Sequence, residues 1–309
     1  MVKKIIIAKN IQDARNIAAK YKNKSKVVAI EAEWGDDALE EPLVDLSINH
    51  HGSRSHNPCP AEIGIKRPDI LNSSFKENTI YIVSHLDADT IMGLMWLEGA
   101  IQNSEEINKL SEMIAYSDKN GYHNAEKLYS NIKDTEIYKK WITMGYVFSR
   151  NSKSSPGDIT NKVNGIIYAI RNIIYHKDIT NTVVYKEAME WNKNKTKNAR
   201  KALVYKSKDI LGFSGKLFYC NNYNLLEDKQ RDIVIQFDTE YKNILISVIN
   251  KTTAIKYFGE QGVISVLQEF FGPGAGGHTT IGGTPRNKKY SEKEFFEFIE
   301  FIEKKIENI

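Results

Sequence analysis

The stretch Thr79–Thr90, T-I-Y-I-V-S-H-L-D-A-D-T, joins an unbroken run of β-branched and aromatic residues to a cluster of one histidine and two aspartates. Such a run, without polar alternation, reads as a strand buried on both faces, the mark of a parallel sheet covered by helices. The same texture recurs in Lys3–Lys9 (KKIIIAK), Lys26–Glu33 (KVVAIEAE) and Leu43–Asn49 (LVDLSIN), with a helical pattern between the first two at Gln12–Lys22 (QDARNIAAKYK). The expected fold class is therefore α/β, with a mostly parallel sheet first.

From Thr90 to about Arg200 the apolar period becomes helical, interrupted by an expected loop at Ser149–Asp158. Strands are expected again in Ala202–Lys206, Lys216–Cys220, Asp232–Asp238 and Ile244–Ile249, the last two joined as a hairpin through Thr239–Asn243. A closing helix is announced by Ser291 with Glu294 three residues on, a capping box, and by the apolar stripe Phe295, Phe298, Ile299, Ile302 and Ile306. The shift in composition divides the 309 residues into a domain at 1–200 and a smaller α+β domain at 201–309.

Composition narrows the classes of function. The two cysteines, Cys59 and Cys220, form no C-x-x-C, so neither a disulfide framework nor a zinc knuckle is expected. No run of 18 apolar residues and no signal-peptide pattern occurs, so a cytoplasmic protein with no membrane partner is expected. The net charge of +4, with both signs interspersed, suits a long nucleic-acid duplex poorly.

The polar clusters sit where the strands end. His85, Asp87 and Asp89 stand at alternate positions after the strand and would share one face if the chain stayed extended. One imidazole and two carboxylates there, at the carboxyl end of a strand in an open α/β sheet, suit a divalent ion. His50 and His51 follow another strand and would divide their duties, one on metal and one towards substrate. Glu31 and Glu33 end a third, and Asp118 precedes a glycine at the end of a further element.

Near the C-terminus, Gly272, Gly274 and Gly277 match the spacing G-x-G-x-x-G. A dinucleotide fingerprint needs a strand before it and a helix after it. Here a helical pattern (Glu260–Phe271) precedes, and a β-branched, glycine-rich segment follows. The stretch is therefore expected to be a glycine-rich loop whose backbone N–H groups approach an anion beside His278.

Together, His85-x-Asp87-x-Asp89, Asn49-His50-His51-Gly52 and Gly276-Gly277-His278-Thr279-Thr280-Ile281-Gly282-Gly283 resemble the motifs of the DHH phosphoesterase family with its DHH-associated C-terminal domain. The family includes exonucleases, nanoRNases and cyclic-dinucleotide phosphodiesterases. The chain departs from it in having Asn49 for the naming aspartate, Ile281 for the usual alanine, and the histidine pair ahead of the H-x-D-x-D segment.

The resemblance implies a two-metal phosphodiesterase acting on short oligonucleotides or dinucleotides, with Mn²⁺ as the ion and Mg²⁺ as the alternative. His85 and Asp87 would hold one ion and Asp89, His50 and Asp118 the other, with Glu31 or Glu33 as the bridge. His51, Asp87 and Asp89 would be catalytic. Gly274, Gly276, Gly277, His278 and Arg286 would bind the substrate's phosphate and nucleoside. The expected partner is an oligonucleotide or nucleotide phosphate ester, with a homodimer left open. Alternatives are a phosphatase of small phosphate esters or polyphosphate, and a catalytically silent nucleotide-binding module.

Overall fold

The computed structural model describes residues 4–34, 37–51, 54, 56–71, 78–151, 154–226, 229–285 and 288–307. Its strands are β1 (Lys4–Ile7), β2 (Lys26–Ile30), β3 (Glu33–Trp34), β4 (Asp37–Ala38), β5 (Leu46–Ile48), β6 (Thr79–Val83), β7 (Gly157–Asp158), β8 (Leu203–Lys206), β9 (Ile210–Gly215), β10 (Ile233–Asp238), β11 (Asn243–Val248), β12 (Gly276–His278) and β13 (Ile281–Gly283). Its helices are α1 (Ile11–Tyr21), α2 (Ile63–Lys66), α3 (Pro68–Leu71), α4 (Ala88–Leu97), α5 (Glu105–Asn120), α6 (Tyr122–Leu128), α7 (Glu136–Asn151), α8 (Thr160–Tyr175), α9 (Val183–Ala202), α10 (Lys251–Phe258), α11 (Val263–Phe271) and α12 (Glu292–Ile306).

The chain forms two compact units, residues 1–118 with 129–191, and residues 119–128 with 192–309. The division falls inside α9 rather than at 200/201, and the short segment carrying α6 joins the second unit.

The first unit is built on a five-stranded sheet in the order β5-β2-β6-β1-β7. The first four strands run parallel, with Val28 opposite Leu46 and Tyr81, and Ile5 also opposite Tyr81. All five residues of β6 are buried, as its unbroken apolar run requires. On one face Ala14 and Ala18 of α1 pack against Ile6, Val27, Ala29, Ile80 and Ile82. Asn10 starts that helix by accepting the N–H of Asp13. Helix α8 packs on β1, and α4 packs on α8.

One expected loop is more ordered than its composition suggests. Helix α7 runs to Asn151, and Gly157–Asp158 forms an antiparallel edge strand opposite Ile6 and Ile7.

The second unit carries a six-stranded mixed sheet, β12-β13-β11-β10-β9-β8. The expected hairpin of β10 and β11 is present, with Ile235 opposite Ile246. Its apolar side packs against Phe258, Val266, Leu267, Phe295, Phe298, Ile299 and Ile302 from α10, α11 and α12. Both halves of the capping box at Ser291 and Glu294 are made.

Lys216–Cys220 is not the strand that its aromatic content suggests. The buried side chain of Gln236 accepts the N–H of Tyr219 at 2.7 Å and donates to the carbonyl of Leu217 at 2.6 Å, replacing a strand partner. The strand lies instead at Ile210–Gly215, parallel to β10. Among the described residues no helix is long and apolar enough to cross a membrane.

Candidate metal centre

Adjacent strand ends bring the clusters together in the first unit. Because β2 lies between β5 and β6, the residues that follow these three strands share one edge of the sheet, whatever their order in the chain. Glu31 follows β2, His50 and His51 follow β5, and His85 follows β6.

Glu31 is the hub. Its backbone leaves the strand at φ 47°, in the left-handed region that disfavours a non-glycine residue by about 1–3 kcal/mol and is found at constrained functional positions. Both neighbours hold it there, since Glu31 N–H donates to the carbonyl of Ile48 and Ser84 N–H donates to the carbonyl of Glu31. Its side chain is fully buried. Oε1 lies 2.9 Å from Nε2 of both His50 and His51, while Oε2 accepts the hydroxyl of Thr90 at 2.6 Å and lies 3.8 Å from Nε2 of His85.

His50 is buried to within 1 % and its Nε2 is crowded by acids. Besides Glu31 it has Asp89 Oδ2 at 3.1 Å and Asp118 Oδ2 at 3.6 Å. A single N–H cannot serve three carboxylates, and a shared cation would suit their meeting point. The separations agree with this. Donor atoms each about 2.1 Å from one octahedral ion lie about 3.0 Å apart. Two groups of suitable donors are present: His50, Cys59, Asp89 and Asp118, and next to them Glu31, His51 and His85.

The H-x-D-x-D segment does not stay extended, and this corrects the expectation of one shared face. Asp87 is the N-cap of α4, accepting the N–H of Thr90 at 2.8 Å through Oδ1, and its Oδ2 lies 2.9 Å from Nε2 of His85. It therefore stands beside His85 and outside both donor groups. Asp89 lies in the first turn of the helix, 1 % exposed, with Oδ1 accepting the N–H of Ala61 at 2.8 Å and Oδ2 turned to His50. Asp118 occupies the last turns of α5, one-fifth exposed.

Glu33 departs from the expectation of a metal bridge. Its Oε1 accepts the backbone N–H groups of His50 at 2.9 Å and His51 at 3.3 Å, and Oε2 faces Arg54 at 3.9 Å. It fixes the histidine backbone and leaves the hub to Glu31. Asn49 is likewise structural, taking the N–H of Ala32 at 3.1 Å and donating to Leu39 and Ser47.

The two histidines are less distinct than adjacency suggests. Their rings lie 4.4 Å apart, and both direct Nε2 at the same Glu31 oxygen. His51 is the more open, at 18 % side-chain exposure against 1 %.

Charge and burial act against each other here. Burial disfavours protonated His50, but the carboxylates of Asp89 and Glu31 prevail and push it up to about 11. Burial, reinforced by the charges of Glu31 and Asp118, pushes Asp89 up to about 8. Burial also opposes ionised Glu31, yet hydrogen bonds from His50 and His51 hold its carboxyl well below the usual range. Without a cation the cluster keeps protons; a divalent ion would displace them.

The expected substrate residues lie in the second unit. Gly276–His278 forms β12, an edge strand turned back onto β13 with His278 opposite Ile281, so the glycine segment is a hairpin where a loop is expected. Gly277 has φ 146°, and a Cβ there would stand 2.4 Å from the carbonyl oxygen of Ile281, so glycine is required by the hairpin itself. Gly274 lies in the turn before it, and Arg286 lies outside the described residues. Cys59 and Thr90 are the members of the site that sequence patterns do not reveal, one lacking a second cysteine nearby and the other sitting inside an apolar helix.

No family model matches the chain, and no curated protein matches it. Among solved structures, one described as an uncharacterized protein from Helicobacter pylori G27 aligns at 12 % identity over 98 % of this chain and 90 % of that one, with a TM-score of 0.23.

Proposed function

We propose that the first unit is a metal-dependent hydrolase of phosphate esters, acting on short oligonucleotides or dinucleotides. The observation that carries this reading is the convergence of His50, His51 and His85 on the fully buried Glu31, with Asp89 and Asp118 beside them, at the carboxyl edge of a parallel sheet. His50, Cys59, Asp89 and Asp118 would hold one divalent ion and Glu31, His51 and His85 the other. The second set, of nitrogen and oxygen donors alone, suits the Mn²⁺ implied by the family resemblance. A bound pair of such ions supplies an activated water at neutral pH and neutralises charge on the phosphoryl oxygens.

The protein's own residues divide the remaining work by depth. Glu31, His50 and Asp89 are buried and rigidly held, whereas His51, His85, Asp87 and Asp118 are partly exposed and form the rim that a substrate meets. His85, oriented by Ser84 Oγ on Nδ1, would turn its Nε2, which lies 2.9 Å from Asp87 Oδ2 and 3.8 Å from Glu31 Oε2, to the ion at that rim. His51 reaches the same rim with its Nε2 turned to Glu31, and a contact of this residue with a phosphoryl oxygen is what the resemblance implies. The assignment of phosphate recognition to Gly274, Gly276, Gly277 and His278 rests on the resemblance alone.

The test is a panel of ribo- and deoxyribo-oligonucleotides of two to ten residues, cyclic dinucleotides, p-nitrophenyl phosphate and pyrophosphate, each assayed with and without added Mn²⁺. Metal-dependent release of mononucleotide supports the reading. Hydrolysis confined to the small esters would favour a phosphatase, and no turnover with stoichiometric metal bound would favour a silent nucleotide-binding module.

A further inference from the structure

We propose that Cys59 is a ligand in the donor set it shares with His50, Asp89 and Asp118, and that it inclines this set towards a thiophilic ion such as Zn²⁺ over Mn²⁺. The proposal rests on the reading of the cluster as a metal site and is independent of the phosphoester assignment.

Three observations place the thiol there. Cys59 is fully buried, and its Sγ touches Asp89 Oδ1. One donor atom from each of the four residues lies within 4.8 Å of all the others, so the sulfur belongs to the same small volume as the imidazole and carboxylates. Its position is also fixed from outside. The turn Pro60–Glu62 that follows it is clamped onto α4: Trp96 Nε1 donates to the carbonyl of Ala61 at 2.9 Å, and Ala61 N–H donates to Asp89 at 2.8 Å. Gly93 completes the clamp, because a Cβ there would stand only 2.7 Å from Cβ of Pro60. A thiol held by so many contacts against one histidine and two aspartates is preorganised for a cation rather than for apolar packing.

Donor chemistry then sets the preference. Carboxylates and water suit Mn²⁺ and Mg²⁺, imidazole suits zinc and its neighbours, and thiolate selects strongly for zinc over manganese. One sulfur and one nitrogen beside two carboxylates make this set softer than the neighbouring one of Glu31, His51 and His85. The two sets would therefore differ in the ion they retain.

The competing role for Cys59 is a simple S–H donor that orients Asp89, which serine would preserve. Cobalt separates the two. Metal-stripped protein titrated with Co²⁺ should develop a near-ultraviolet sulfur-to-cobalt charge-transfer band. The chain has only two cysteines, and Cys220 lies in the second unit beside Gln236, so Cys220→Ser should keep the band. Cys59→Ser should bind cobalt without it, and in equilibrium dialysis should lose about tenfold or more in Zn²⁺ affinity, with Mn²⁺ affinity changed less than about threefold. Cobalt bound to the wild type without the band, or a band that survives in Cys59→Ser, would overturn the ligand role and leave the metal site standing. No cobalt bound at all would overturn both. Should Cys59→Ser fail to fold, the spectrum of Cys220→Ser decides alone, because its only remaining thiol is Cys59.

Discussion

Replacing Asp89 by asparagine separates the cost of folding from the cost of binding metal. Without metal, burial and the charges of Glu31 and Asp118 hold the Asp89 carboxyl at about 8, so at pH 7 it is mostly a neutral acid. Asparagine has nearly the same size and charge. Its Oδ1 can keep the N–H of Ala61, and what is lost is the Oδ2 contact at 3.1 Å from His50, whose N–H also has Glu31 at 2.9 Å. One imperfect hydrogen bond amounts to about 1 kcal/mol, which for a unit of this size lowers the melting temperature by roughly 2–4 °C.

With metal the arithmetic reverses. Loss of a direct ligand should weaken binding at least about 100-fold, which removes about 2.7 kcal/mol of ligand-linked stability when metal is well above its dissociation constant. The melting temperature gained on adding metal should shrink by roughly 5–10 °C in Asp89→Asn, while the metal-free forms differ little. Calorimetry of chelator-treated and reloaded protein at pH 7 reads both numbers. An equal metal-induced gain in wild type and variant would refute the placement of Asp89 on metal. A metal-free variant destabilised by more than about 4 kcal/mol would refute the neutral-acid argument.

The pH dependence follows from the same groups. Asp89 and His50 both have folded values raised, from 3.8 to about 8 and from 6.5 to about 11, so the stability they give the metal-free protein is present at low pH and is lost as pH rises, between 3.8 and about 8 for Asp89 and between 6.5 and about 11 for His50. Metal displaces those protons, so the gain in melting temperature on loading should be larger at pH 8.5 than at pH 6, and a gain independent of pH would contradict it. Glu33→Gln should keep metal, because an amide oxygen still accepts the N–H groups of His50 and His51, whereas Glu33→Ala should lose at least about tenfold in metal affinity; titration calorimetry of the two variants compares them. Gly277→Val should unfold the second unit's hairpin at a cost above about 2 kcal/mol, seen as early loss of amide protection at residues 276–283, while His278→Ala should leave that protection intact. His278→Ala should also leave metal occupancy unchanged, as measured by elemental analysis.

The parallel sheet was legible because residues such as Ile80–Val83 and Val27–Ile30 are apolar without alternation, and only strands covered on both faces bury such runs. The site was legible at the level of residue type, since histidines and carboxylates after strand ends have few structural uses. Its geometry was not. Alternate spacing suggested that His85, Asp87 and Asp89 share an extended face, whereas Asp87 caps a helix whose first turn carries Asp89. The signal was present in the apolar run Ile91–Leu97 that follows an Asp-x-x-Thr start.

Three other features depend on tertiary contacts that local sequence does not carry. The left-handed backbone at Glu31 exists because Ile48 and Ser84 hold it from both sides. Cys59 enters the site only through the packing of Pro60 and Ala61 on α4. In the second unit the side chain of Gln236 explains why Lys216–Cys220 is irregular despite its strand-like composition.

The central claim is that seven side chains of the first unit, His50, Cys59, Asp89 and Asp118 with Glu31, His51 and His85, hold a pair of divalent ions. Native mass spectrometry of chelator-treated protein, titrated with Mn²⁺ and Zn²⁺, tests it most directly. The account predicts two ions per chain in the wild type and a loss of at least one in both Glu31→Gln and Asp89→Asn, with the chain still folded. A wild type that takes up no metal, or variants that retain both ions with unchanged affinity, would contradict it.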